Sequence, residues 1–443
     1  MAPQQRPHAI RPPDGIRGRE TAPAAGKVSS ALLLGAALLW VFACLWFPLT
    51  DTDIWWHLAS AKLMWARKAF LREDPFCLAS LGVPWSDLHW GFQCAAYAAW
   101  KLGGAKALVA GKCLAVAGAL GFALKPHLDR RTLPWLIPLA AFGVYHMRFF
   151  IDVRPLALTL LGLGVQYAAV QAHFRGNLRR PWWILVPVQI ALVNVQGLYP
   201  LGAWLVTCLA WGKFLERKRT AAFALGPLAW TCLAMWAAGL AGPYGWSGFR
   251  LPLSLLGRIA PVSANIFSSQ IAENLPFADM LRHRPREALP FLFLGLAVLY
   301  TFDRARERTG PGHLLLFLSF SALAWMAQRN LPLAFLAGLM AAGRNLQVSS
   351  REERRGGRSR PPSVLPGSGS APWSGRLARA RPFAGWAALA AIVLLYGNTL
   401  RAAWEYELPG SLETPFRFPG PAVDYLERNP LPGMVFNELR YGG

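Results

Sequence analysis

The stretch Thr50-Asp51-Thr52-Asp53-Ile54-Trp55-Trp56-His57-Leu58 brings two carboxylates and an imidazole directly after an uncharged apolar run. A carboxylate at a low-dielectric mouth has a raised pKa and takes a proton from a hydroxyl, so Asp51 and Asp53 are catalytic candidates. The same pair is a candidate metal site, its oxygens suiting Mg²⁺ or Mn²⁺. Asp53 and His57 stand at i and i+4 and share a face if a helix begins at Asp53. Ile54, Leu58, Trp65 and Ala69 recur at helical spacing, which predicts a helix lying in a membrane interface. A plain alternative stands beside the chemical one: the aspartates are helix caps and the Trp pair is an interfacial belt. Further on, Arg72-Glu73-Asp74-Pro75-Phe76 and Trp85-Ser86-Asp87-Leu88-His89-Trp90 add Asp74 and His89 as candidates for substrate contact.

Two arginines stand where an anion is expected. Arg154 follows Phe149-Phe150-Ile151-Asp152-Val153 and opens an apolar run at Pro155. Arg329 sits in Ala327-Gln328-Arg329-Asn330 between two short apolar runs. A guanidinium binds phosphate through two parallel N–H donors, a clamp for a group on which negative charge grows. The alternatives are structural: a snorkelling Arg154 paired to Asp152, and Arg329 paired to Glu273 or capping backbone. Glu273, in Glu273-Asn274-Leu275-Pro276, is a candidate second acid or acceptor contact. Asn194 and Gln196 interrupt an apolar run, either to hold sugar hydroxyls or to join helices. His127 and His173 lie in basic turns and are expected to be solvated.

The elements that must position these residues are membrane helices. The 443 residues are 54% hydrophobic and only 16% charged, with net charge +23. That excludes a disordered chain, a coiled coil and an ordinary soluble enzyme. The charge comes in short bursts between apolar runs, which argues against a nucleic-acid partner and for the bilayer. Apolar runs at 30–49, 105–124, 133–150, 155–172, 182–196, 198–212, 220–241, 288–302, 312–327, 331–343 and 384–400 predict about eleven crossings. The fold class is therefore an all-α polytopic membrane protein. Basic residues crowd 1–29, 125–131, 173–180, 213–219, 303–308 and 344–382, which puts those segments and the N-terminus in the cytoplasm. A Gly103-Gly104 break then leaves 88–102 along the interface and one crossing after it. The organisation expected is a basic tail at 1–29 and a core at 30–343, with outer loops at 51–90 and 242–286. A disordered basic linker at 344–382, a last span at 383–400 and an outer segment at 401–443 follow. The unusual polar residues all fall on the outer side. The six cysteines make no disulfide framework, although a Cys77–Cys94 bond is conceivable.

This chain resembles the GT-C class of membrane glycosyltransferases, in particular bacterial multi-spanning members without an assigned substrate. The resemblance rests on Asp53-Ile54-Trp55-Trp56-His57-Leu58, then Asp74-Pro75-Phe76, then Trp85-Ser86-Asp87-Leu88-His89. It implies a GT-C-like fold in the cytoplasmic membrane and transfer of sugar from a polyprenyl-phosphate-linked donor to an acceptor on the outer face. Asp51 and Asp53 then match the acidic position, Arg154 and Arg329 hold phosphate, and His57, Asp74, His89 and Glu273 contact substrate. Near the end, 422–429 reads as a short helix and Met434-Val435-Phe436-Asn437 as a strand. In the resembling proteins a similar element continues into a small outer domain, so this chain is either truncated or lacks that domain. No zinc spacing, Walker loop or nucleotide fingerprint is present, which argues against an ATP-driven pump. A lipid or glycan transporter and a non-catalytic scaffold remain as alternatives.

Overall fold

The computed structural model describes residues 24–217, 226–259, 271–305, 310–356, 373–407 and 420–430. These are helical almost throughout. Among the described residues β contacts include the isolated bridges Glu73–Pro84 and Asp74–Leu81. In chain order the helices are α1 (Ala24–Leu45), α2 (Asp53–Arg67), α3 (Trp90–Leu124), α4 (Leu133–Met147) and α5 (Pro155–Phe174). Then come α6 (Trp182–Val193), α7 (Pro200–Arg217), α8 (Gly226–Ala237), α9 (Gly245–Ile259) and α10 (Phe277–His283). The last are α11 (Pro285–Ala305), α12 (Pro311–Met326), α13 (Leu331–Gly356), α14 (Trp373–Glu407) and α15 (Gly420–Arg428).

Among the described residues, four helices are long and apolar enough to cross a membrane: Trp90–His127, Pro155–Phe174, Pro285–Ala305 and Ala384–Ala403. The other apolar runs fold into shorter helices, among them Ser30–Leu45, Trp182–Val193, Gly226–Leu240 and Pro311–Met326. Length and composition thus support four spans among the described residues, and the eleven crossings that the sequence runs predict are not confirmed. The protein is an integral membrane protein by these helices. α3 and α5 pack on each other, with α1, α2, α6, α7 and α13 around them. α14 lies outermost, with only 17% of its apolar window buried and Leu394 and Leu395 facing outward. Apolar side chains on that surface are stable only against lipid tails.

Small residues let the helices approach. Gly212 of α7 meets Gly312 of α12 with no room for a side chain at either position. Close backbone contact of this kind is a common way to join helices in lipid, where no hydrophobic force drives association. Gly104 breaks α3 at the position read from the sequence. Its φ of +58° and ψ of −145° are closed to residues with a Cβ.

Several expectations need correction. His127 and His173 are not solvated; they are 1% and 7% exposed. The Tyr167 hydroxyl lies 2.6 Å from His127 Nε2 and 3.1 Å from His313 Nε2, and it donates to the Met340 carbonyl. A basic turn looks wet in sequence, but helices packed around it dry it, and each imidazole then needs a partner. The linker expected at 344–382 is helical at both ends, through Gly356 and again from Trp373. Arg344 pairs with Glu216, and Arg131 donates to the Ser350 carbonyl, so the start of that segment is docked rather than free. Residues 357–372 lie outside the described residues. The short helix expected at 422–429 forms at Gly420–Arg428, starting two residues and ending one residue earlier, while the expected strand at 434–437 lies outside the described residues. Cys77 and Cys94 are free thiols.

Candidate active site

The acidic loop and the two arginines come together because three short connections meet. α1 ends at Leu45, and the chain turns through Thr50 and Asp51 into α2. The Asp53 amide donates to Asp51 Oδ1 at 3.1 Å, so Asp51 caps the helix start. Asp53 is not the cap expected from its type; it is the first helical residue. α2 buries Ile54, His57, Leu58, Ala61 and Met64 against its neighbours, including α3. Trp65, expected on that face, is instead half exposed.

The second connection carries Arg154. Pro155 occupies the first turn of α5, where its missing N–H costs nothing. Arg154 is thereby held in extended backbone just outside the helix, its amide donating to the Asp152 carbonyl at 2.8 Å. Its side chain does not pair with Asp152. Nε and Nη2 donate to the two oxygens of Asp51, the latter at 2.8 Å, and Nη1 donates to both oxygens of Glu273 at 2.6 Å. Asp53 Oδ2 lies 3.5 Å from Nη2. Asp152 instead accepts from the Thr50 hydroxyl at 2.7 Å, which ties the α4–α5 connection to the start of the acidic loop.

The third connection joins Glu273 to Arg329. The turn at Ala272–Asn274 and the turn at Gln328–Asn330 are stitched together. Gln328 N donates to the Leu275 carbonyl at 3.0 Å, and Arg284 donates to the Gln328 amide oxygen at 2.8 Å. Arg329 stands beside the cluster and feels the charges of both Glu273 and Arg154. Among the described residues it makes no hydrogen bond or ion pair, so the expected pairing with Glu273 does not close.

The electrostatics separate the two aspartates. Asp51 is buried, its side chain 6% exposed, while that of Asp53 is 51% exposed. Burial, and then the neighbouring Asp51 charge, push the Asp53 carboxyl above its ordinary range. Burial alone lowers Arg154, but the hydrogen bonds and charge of Asp51, with Glu273, reverse that and raise it. Arg329 is lowered by burial, with Glu273 opposing and Arg154 assisting, yet a guanidinium stays charged. Burial also pushes Asp152 up.

His57 and His89 form one wall. The His57 ring lies 3.8 Å from Trp56 and 5.6 Å from His89, centroid to centroid. Burial, then the His89 and Arg154 charges, hold His57 well below its usual pKa, so it is a neutral ring. Gln93 of α3 sits beneath it, 3.4 Å from Nδ1. His89 is partly open and lies 3.6 Å from the buried Asp87 carboxylate. Asp74 stands apart from the cluster. Its carboxylate accepts from the Phe76 and Cys77 amides at 2.9 and 3.3 Å and from Ser80 at 2.5 Å, and these bonds lower its pKa against a burial effect that raises it. It organises its own loop. Asn194 and Gln196 also serve structure: Asn194 accepts from Trp90 Nε1 and Gly91 N, both at 2.8 Å, and Gln196 accepts from Thr159 at 2.6 Å.

Sequence reasoning passed over Thr50, Gln93 and Lys112. Lys112 lies inside α3, 4% exposed and 3.4 Å from the Phe47 ring centre, where it feels the Asp152 charge. Its signal was a lysine within an apolar run, an expensive placement that marks function or a partner.

A divalent cation does not fit among these donors as they stand. Both oxygens of Asp51 and both of Glu273 already accept from Arg154. Among the described residues no group of His, Cys, Asp and Glu is arranged to hold an ion.

An apolar cavity of about 250 Å³ lies among α4, α11, α12 and α13, lined by Met147, Phe277, Phe291, Trp325, Leu331 and Phe335. Two of these lining residues, Phe277 and Leu331, follow closely on Glu273 and Arg329 in the chain.

No protein-family profile matches the chain, and no curated protein matches its sequence. Among solved structures it resembles an archaeal oligosaccharyltransferase, AglB from Archaeoglobus fulgidus, solved with an inhibitory peptide and a dolichol-phosphate. The TM-score is 0.54 at 14% identity, over 86% of this chain and 56% of that one. The fold is GT-C-like. This chain spans little more than half the length of that neighbour, and the likeness is one of fold, not of family.

Proposed function

We propose that the protein is a membrane glycosyltransferase that moves a sugar from a polyprenyl-phosphate carrier to an acceptor on the outer face of the cytoplasmic membrane. The observation that carries this reading is Arg329. It is a half-buried guanidinium without a hydrogen-bonding or ion-pair partner among the described residues, beside an acidic cluster and an apolar cavity. A cation held out of water needs an anion, and an apolar cavity beside it suits the isoprenoid chain of a lipid phosphate. The GT-C-like fold supports the same direction.

In this reading the acceptor hydroxyl oxygen attacks the anomeric carbon. The bond from that carbon to the lipid-phosphate oxygen breaks, and the hydroxyl proton passes to Asp53. Arg329 holds the phosphate as its negative charge grows. Asp53 suits the base better than Asp51 because it is open to an acceptor and meets Arg154 only at 3.5 Å, without the bidentate pairing that holds Asp51. Asp51 and Glu273 hold Arg154, and His57 and His89 line the acceptor side as a neutral ring and a partly open one.

Titration of polyprenyl phosphate onto purified protein tests this. Saturable binding is expected, weakened roughly 10- to 100-fold by Arg329→Ala, the worth of one charge-assisted contact. No binding by folded wild type would remove the lipid-phosphate reading and favour a transporter of another substrate or a scaffold.

A further inference from the structure

We propose that Arg154 is the resident cation of the acidic cluster, occupying the place between Asp51, Asp53 and Glu273 that a divalent metal ion would otherwise take. Three carboxylates from two distant parts of the chain surround one guanidinium; their oxygens are of the type that hard cations select, but with Arg154 between them they are not spaced to hold an ion. The Nε, Nη1 and Nη2 of that guanidinium all face carboxylate oxygens. Its Nε–Nη2 edge meets Asp51 side-on while Nη1 alone spans both Glu273 oxygens, a planar geometry that a spherical ion with a water shell does not share. The backbone keeps it there: Pro155 fixes the start of α5, and the Arg154 amide is bonded to the Asp152 carbonyl. The 260–270 segment that precedes Glu273 contains no Asp or Glu, so it adds no further carboxylate to the set.

A consequence follows for the chemistry of the site. A metal ion exchanges with solvent and can carry bound water or phosphate in its open positions. A guanidinium saturated by Asp51 and Glu273 has no open position and no water to activate. Phosphate affinity then rests on Arg329 rather than on a cation shared among the acids. The assignment of Arg154 stands whether or not the protein transfers sugar.

Mn²⁺ binding to the full-length purified chain, read from the electron-paramagnetic signal of free Mn²⁺, tests it without any substrate. Wild type is expected to leave the free-ion signal unchanged. Arg154→Ala, which empties the centre of the cluster, is expected to gain roughly one Mn²⁺ per chain, the stoichiometry of one three-carboxylate site. Adding Asp51→Asn to that variant is expected to abolish the gain. Stoichiometric Mn²⁺ on wild type that disappears in Asp51→Asn would overturn the proposal. A folded Arg154→Ala chain, confirmed by a single gel-filtration peak, that stays silent would overturn it too. If Arg154→Ala does not fold, the wild-type titration decides alone, an unchanged signal supporting the proposal. Loss of the lipid-phosphate reading would leave the Mn²⁺ result untouched, so the two fail separately.

Discussion

Asp51 and Asp53 differ by two positions and have the same side chain, yet their surroundings assign them opposite work. Asp51 is buried against Arg154 and holds it. Removing its charge by Asp51→Asn leaves a mostly buried guanidinium short of one partner, at a cost of about 3 kcal/mol, the lower end for breaking a buried pair. A clear fall in thermal midpoint in detergent is the expected outcome. Asp53 is the reverse case. Its carboxyl is raised by burial and by Asp51, so the fold favours its protonated form. The associated stability is fully present below the unfolded pKa and is lost as pH rises through the folded one. Asp53→Asn is therefore expected to leave the midpoint at neutral pH unchanged or higher while lowering transfer by about 10²- to 10⁴-fold, the worth of a general base. The wild-type rate is expected to rise with pH through a pKa above the ordinary carboxylate value, and the variant's residual rate to lack that limb. A thermal midpoint that falls in Asp53→Asn would assign this residue to structure.

At the scale of elements, the site depends on how helices stop. α3 changes direction at Gly104, and its first segment carries Gln93 under His57 while its second carries Lys112 in the bundle. Gly104→Ala is expected to cost about 1–3 kcal/mol, because its backbone angles exclude a Cβ. Gly111→Ala on the same helix meets nothing within 4 Å and is expected to be neutral or slightly stabilising. Thermal unfolding of the two variants side by side separates backbone strain from any general effect of filling a glycine. The break itself was legible, since a Gly pair in a long apolar run announces a bend. The stitching of the Glu273 turn to the Arg329 turn was not legible, because those turns lie far apart in sequence and meet only through packing.

At the scale of the molecule, a bundle of membrane helices holds an apolar cavity whose lining residues Phe277 and Leu331 follow closely on Glu273 and Arg329 in the chain. If an isoprenoid chain occupies that cavity, bulk introduced there must compete with it. Ala334→Trp, on the cavity wall, is expected to lower affinity for polyprenyl phosphate without lowering binding of inorganic phosphate to the same preparation. Equal affinity for the long-chain ligand in wild type and variant would place the chain elsewhere. The GT-C-like fold is compatible with such an arrangement, and the likeness extends over most of this chain but little more than half of its neighbour.

The amino-acid sequence by itself determined the membrane setting and the helical class, and it singled out Asp51, Asp53, Arg154 and Glu273, which the tertiary structure brings together. Apolar runs, basic bursts and polar residues at run ends are local properties, and lipid leaves the backbone few ways to satisfy itself. The pairings were decided only in the tertiary structure. Whether Arg154 meets Asp152, Asp51 or Glu273 depends on which helix ends converge, and side-chain chemistry permits all of them. The burial of His127 and His173, the docking of 344–350 and the loop role of Asp74 were settled in the same way. Each is a polar residue whose partner comes from a fold-dependent contact, and its sequence neighbours cannot say whether water or protein will satisfy it.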